Sequence, residues 1–237
     1  MKPRLPILSV GLAAVAIVVH ALPATATALQ FDRTAIAGGE MWRLLTGHVV
    51  HFDANHLLWD GTMMVILGAA CERQSHRRTA AALALAATAI DAAVWWLQPQ
   101  FAIYRGLSGL ASALFGLLGG LLLQRGRPVP TIAGALALAG FAAKSAFELA
   151  TAQTVFASGN GYAPVPLAHL VGLAAGLIAA LSRPAQSARS TTMSSACNPQ
   201  KRRSPAWKIS PSALSLATTA LRRVPAAVAS TRRSVAP

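Results

Sequence analysis

The chain has 237 residues, of which 54% are hydrophobic and 12% charged, with the apolar residues gathered in blocks between short polar stretches. That pattern describes several membrane spans and excludes an ordinary soluble core. The formal charge of +14, from 21 Lys and Arg against 7 Asp and Glu, would suggest nucleic acid in a soluble protein. Much of it follows Leu181, where cytoplasmic retention and anionic lipid explain it better and no nucleic-acid partner is expected.

Lys2 and Arg4 precede an apolar run from Leu5 to about Leu22, ended by Pro23. It reads as a first span or as a signal peptide followed by the small residues 24–28; the uncleaved span is favoured. Either way the basic residues hold the N-terminus in the cytoplasm. Residues 24–50 form a long external segment containing Trp42 and Arg43. A second run, from about Asn55 to Cys71, meets Glu72, Arg73, His76, Arg77 and Arg78, which mark a cytoplasmic turn. The third, Thr79 to Leu97, ends in Trp95 and Trp96, suited to the external interfacial belt.

A fourth run starts at Gly106 and stops before Arg125 and Arg127; a fifth covers roughly Val129 to Ala150, followed by a polar loop through Tyr162. The sixth, about Pro164 to Leu181, ends at Arg183. The fold class expected is therefore an all-α membrane bundle of six helices, with both termini cytoplasmic. Residues 1–182 form one domain. Residues 183–237 carry ten Lys or Arg and no Asp or Glu, and are expected to be a disordered basic tail touching anionic lipid weakly. Cys71 and Cys197 have no metal-ligand spacing and are expected on the cytoplasmic side, where disulfides are rare.

Chemistry concentrates near the external ends of the fourth and sixth runs. Ser108 stands between Leu107 and Gly109 in Gly106-Leu107-Ser108-Gly109, so little side-chain bulk blocks approach to its hydroxyl. His169 precedes Gly172 and Gly176 at i, i+3 and i+7, one helix face. Ser108, Ser112 and Gly116 share a face of the fourth helix in the same way. Both runs point inward, so at ~1.5 Å per residue Ser108 and His169 lie at similar depth, roughly 3–8 Å below the external surface. Small residues let the two backbones approach, which a serine needs if a histidine is to take its proton. An ionisable residue inside a span is costly and points to function. The plainer reading is that His169 satisfies a buried hydroxyl.

His48, His51, His56 and Asp60 gather where the second run begins. Three imidazoles and a carboxylate suit zinc, but the spacings match no His-Glu-x-x-His, and neither metal nor cofactor is expected. A donor that stabilises the oxyanion formed when Ser108 attacks a carbonyl is the more economical role.

These residues together resemble the rhomboid family of intramembrane serine proteases. Trp42-Arg43 resembles its first-loop signature; His51, His56 and Asp60 resemble its second-span pattern His-x4-His-x3-Asn. Gly106-Leu107-Ser108-Gly109 resembles the nucleophile motif, Ala168-His169-x2-Gly172-x3-Gly176 the base motif, and residues 68–73 the cytoplasmic end of the second span. The likeness covers roughly residues 5–182. The compact form and the string from Trp42 to His51 look most like rhombosortases, associated with bacterial substrates that carry a C-terminal Gly-Gly sorting segment. The resemblance implies Ser108 as nucleophile, His169 as general base and acid, and an oxyanion hole of His56 and the Ser108 amide, with Asp60 at its edge. It also implies transmembrane protein substrates within the lipid bilayer of the bacterial inner membrane.

Two positions depart from the family pattern. Asp60 stands where Asn is usual, and Ser112 where an aromatic residue often is. An ionised Asp60 cannot donate to an oxyanion. It would have to be protonated, or pair with His56 and hold it as a cationic donor, or mark a weakly active homologue. The rival from another class is a rhomboid-like protein that binds transmembrane clients without cutting them. A solute transporter fits less well, because no inverted repeat is visible.

Overall fold

A computed structural model of the chain describes residues 5–153, 155 and 165–182. Much of the expected loop to Tyr162, the tail 183–237 and Cys197 lie outside the described residues. Six long helices fall on the six apolar runs: α1 (Ile7–Ala21), α5 (Ala54–Gln74), α6 (His76–Leu97), α7 (Ser108–Leu123), α8 (Pro128–Thr151) and α9 (Pro166–Leu181). The segment between α1 and α5 is folded into α2 (Pro23–Leu29), α3 (Arg33–Ala37), α4 (Arg43–Thr46) and a 3-10 turn, Gly47–Val49.

Local chemistry sets the boundaries. Pro23 cannot continue α1, yet its fixed φ suits the first turn of a new helix; α2 leaves α1 at 115°. Asp53 caps α5 by accepting from the His56 amide at 2.7 Å, and Ser75 caps α6 by accepting from the Arg78 amide at 3.2 Å. The guanidinium of Arg33 donates to the carbonyls of Val94, Trp95 and Gln98, closing the other end of α6. Arg43 donates to the carbonyls of Thr27 and Gln30 and pairs with Glu40 at 2.7 Å. The Trp42-Arg43 pair thus ties the segment between α1 and α5 together, Trp42 Nε1 donating to Ala28 O.

The centre of the bundle is α7, enclosed by α5, α6, α8 and α9. A helix apolar on all sides belongs there, and most of α7 from Gly109 to Leu121 is buried. Helix α8 is the opposite. Among its described residues only Gly134, Ser145 and Glu148 are buried, while Val129, Ile132, Leu136, Phe147 and Leu149 point outward and exposed. Apolar outside and polar inside is the arrangement of a helix that faces lipid.

By length and composition, α6 and α8 can each cross a bilayer, and α1 with α2 would make a third span if the bent pair is one. The expected count of six is not reached on that measure, for two physical reasons. Helices α7 and α9 are apolar but have 16 residues each, about 24 Å against a hydrocarbon core of ~30 Å. Helix α5 is long enough, but His56, Asp60 and Glu72 dilute its apolar content, and all three are buried inside the bundle.

Glu72 shows what such a residue does. It is fully buried and accepts from the amides of Leu8 and Ser9 at 3.1 and 2.9 Å and from Ser9 Oγ at 2.6 Å. A carboxylate at the start of α1 satisfies amides that the helix itself leaves unpaired. Glu72→Ala is expected to lower stability by about 3 kcal/mol, read as a lower unfolding midpoint in mixed micelles, with α1 the first element to exchange its amides.

Candidate active site

The stretch leading to Ser108 is held by a short antiparallel pair, β1 (Phe31–Asp32) and β2 (Ile103–Tyr104), with Phe31 opposite Tyr104. Arg105 follows, donating to Gln30 Oε1 and lying over the Phe52 ring at 4.8 Å. Gly106 then turns the chain into α7 with φ +121°, a value only glycine adopts without strain. A Cβ there would also lie 2.9 Å from His56 Nε2 and 3.0 Å from Asp60 Oδ2. The glycine therefore lets the loop before Ser108 rest directly on the His56–Asp60 pair.

Of the four expected neighbours in the histidine cluster, three meet. Asp60 Oδ2 is 3.2 Å from His56 Nε2 and 3.3 Å from His51 Nε2. The Leu107 amide donates to that same His51 Nε2 at 3.4 Å. Asp60 Oδ2 thus faces both imidazoles, and His51 also meets the residue before Ser108. His48 turns away instead: its Nε2 is 3.3 Å from Asp91 Oδ1 on α6, and its ring meets Tyr104 edge-on. Burial pushes the Tyr104 phenol up, helped by the negative charge of Asp60 and Asp91, so it stays a neutral hydroxyl. Among the described residues no group of three His, Cys, Asp or Glu is placed to hold a metal ion.

The glycine face of α9 meets α7 backbone to backbone. A Cβ on Gly172 would overlap the Gly109 carbonyl oxygen, and one on Gly176 the Ala113 carbonyl oxygen. Next to the two expected catalytic residues, a Cβ on Gly109 would stand 3.5 Å from Ala168 O. Ser112, on the same face of α7, bonds back to the Ser108 carbonyl at 2.7 Å. Ser108 and His169 line one cavity of about 630 Å³, together with His56 and Asp60. Among the described residues no hydrogen bond joins Ser108 to His169. Apo sites often tighten such bonds only when substrate arrives.

Two further cavity residues escaped sequence reasoning. His169 Nδ1 lies 3.3 Å from Glu148 Oε2 and 3.3 Å from Lys144 Nζ, and these two pair with each other at 2.8 Å. A Lys and a Glu four apart within an apolar run are an intramembrane ion pair on one helix face, and that cost alone was the available signal. Apart from Tyr104, Arg105 and Ser112 the rest of the wall is apolar, with Phe52, Trp59, Phe115 and Phe141 among it. Residues of both α5 and α8 line it, and these two helices have little contact with each other. A wide apolar cavity with a few convergent polar groups is the usual form of a binding site.

No curated protein matches the chain. The family model for the Rhomboid domain matches residues 38–184, more than half of the sequence and the span that contains Ser108, His169, His56 and Asp60. The chain is thus a membrane protein that belongs to the rhomboid family, the family of intramembrane serine proteases.

Proposed function

We infer that this chain is an intramembrane serine endopeptidase acting through Ser108 and His169. The observation that carries the reading is their convergence: residues from two separate helices open on one cavity, where glycines bring the helices into backbone contact. Ser108 Oγ attacks the scissile carbonyl carbon while His169 takes its proton. The tetrahedral intermediate collapses to an acyl-enzyme as His169 returns that proton to the leaving amine. Water, deprotonated by His169 in turn, releases the acid product and restores Ser108. The Ser108 amide and His56 would receive the oxyanion. The α5 and α8 walls of the cavity are the side from which a transmembrane substrate would reach Ser108.

In this reading residues 1–182 make six spans of the bacterial inner membrane with both termini cytoplasmic, and 183–237 form a separate basic tail. The short α7 starts below the external surface, which admits water to Ser108. The string from Trp42 to His51 supports a rhombosortase-type substrate with a C-terminal Gly-Gly sorting segment. Co-expression with Gly-Gly-tailed candidate proteins tests that choice. Processing by the wild type and none by Ser108→Ala supports it; processing of ordinary transmembrane substrates alone sends the chain to another branch of the family.

Asp60 sharpens the account of the oxyanion hole, and its pairing with His56 at 3.2 Å is also the feature that favours a client-binding protein of little activity. If the pair keeps His56 a donor from both nitrogens, the stabilisation arises mainly in the transition state. Asp60→Ala is then expected to lower kcat more than it raises KM, and Asp60→Asn to be tolerated better, since an amide donates directly. Turnover of both variants in the same membranes decides it. Asn as damaging as Ala, or both harmless, removes Asp60 from the oxyanion hole.

A further inference from the structure

We propose that Glu148 is a positioning residue for His169, and that the buried Lys144–Glu148 pair on α8 sets the tautomer and basicity of the catalytic imidazole. The inference rests on the Ser108–His169 reading and adds a third and a fourth member to it.

The Glu148 carboxylate is 2% exposed and held on both oxygens. Oε2 faces His169 Nδ1 at 3.3 Å and Lys144 Nζ at 2.8 Å, and Oε1 accepts from the Val155 amide at 3.3 Å. A carboxylate fixed this way has one orientation to offer an imidazole. Lys144 Nζ is also 3.3 Å from Nδ1, so two arrangements compete for that nitrogen. In one, Nδ1–H donates to Glu148 and the Nε2 lone pair is left for the Ser108 hydroxyl. In the other, the ammonium donates to Nδ1 and the proton sits on Nε2, where it cannot act as a base. The first is favoured because a charged carboxylate is the stronger partner for Nδ1–H, and the ammonium, with three donors, pairs with Glu148 at 2.8 Å without needing Nδ1.

The charges act in the same sense. When His169 takes the Ser108 proton, its new positive charge faces the anion of Glu148, which favours it at short range and low dielectric. Lys144 opposes that gain and in return keeps the buried carboxylate from being an unpaired charge. The other ionisable groups on the cavity wall are His56 and Asp60 on α5 and Tyr104 and Arg105 before α7. They are common to every variant below.

The test is the rate at which a fluorophosphonate probe labels full-length protein in membranes, followed against pH, since it needs no substrate. Wild type should label at Ser108 with a rate that falls on the acid side as His169 is protonated. Glu148→Gln should label at least about tenfold more slowly. Its acid limb should lie at lower pH than that of wild type, because only the repelling ammonium remains. Glu148→Asp should recover much of the rate. Lys144→Met should shift the limb the other way, to higher pH, and it carries the test if Glu148→Gln does not fold. Limbs that coincide with wild type in Glu148→Gln, or in Lys144→Met, overturn the proposal and leave the pair a structural bond between α8 and α9. No labelling of wild type at Ser108 overturns the dyad reading and this one with it.

Discussion

Ser108→Ala and His169→Ala are each expected to lower substrate cleavage by about 10³-fold or more while the protein stays folded in the membrane. The reason is chemical. A serine hydroxyl without a base is a poor nucleophile, and an imidazole without the hydroxyl has nothing to activate. Because the two act as one unit, the double variant should be no worse than either single one. Cleavage assays on equal amounts of membrane-inserted protein measure this. Near wild-type turnover in either single variant would remove the serine-protease reading, whatever the family.

The second large effect is expected at the α7–α9 contact. A methyl group on Gly172 or Gly176 has no room, since each would meet a carbonyl oxygen of α7, and neither backbone is a flexible side chain that can move aside. Overpacking of this kind costs about 1–3 kcal/mol. The consequences should then differ by position. Gly172 lies one turn from His169, so Gly172→Ala shifts the base relative to Ser108, and a displacement of ~1 Å costs on the order of 10²-fold in rate. Gly176 is two turns away, and Gly176→Ala should lower the unfolding midpoint with a smaller effect on kcat. Gly11→Ala, on α1 away from the cavity, is the control: nothing lies within 4 Å of a Cβ there, and alanine suits a helix better than glycine. Equal kcat in the Gly172 and control variants would show that the spacing of α7 and α9 does not govern the site.

How much of this was legible in the sequence follows from the kind of signal each feature leaves. The six long helices could be read because apolar runs bounded by Arg, Pro and Trp are local patterns. The glycine face of α9 was readable for the same reason, since i, i+3 and i+7 need only helical periodicity. The folding of the segment between α1 and α5 was not legible. It depends on Arg33 and Arg43 reaching carbonyls in other segments, and a side chain that caps a distant helix leaves no trace in spacing. His48 was misgrouped with His51 and His56 because the three are close in sequence. The 3-10 turn at Gly47–Val49 rotates it toward Asp91 instead. Glu148 and Lys144 were visible as charges in an apolar run, but nothing local says that α8 turns them toward His169 rather than toward the cytoplasmic or external face. The number of spans is hidden for a related reason: α7 and α9, at 16 residues each, are well enclosed by other helices, and enclosure removes the need to match the bilayer thickness.

The most direct measurement of the central claim is to locate the fluorophosphonate adduct by peptide mass spectrometry after labelling the folded protein in its membrane. The account expects a single adduct on Ser108, lost when His169 is replaced by alanine and lost on denaturation before labelling. An adduct elsewhere with Ser108 unmodified, or a Ser108 adduct formed as fast in His169→Ala as in wild type, would contradict it.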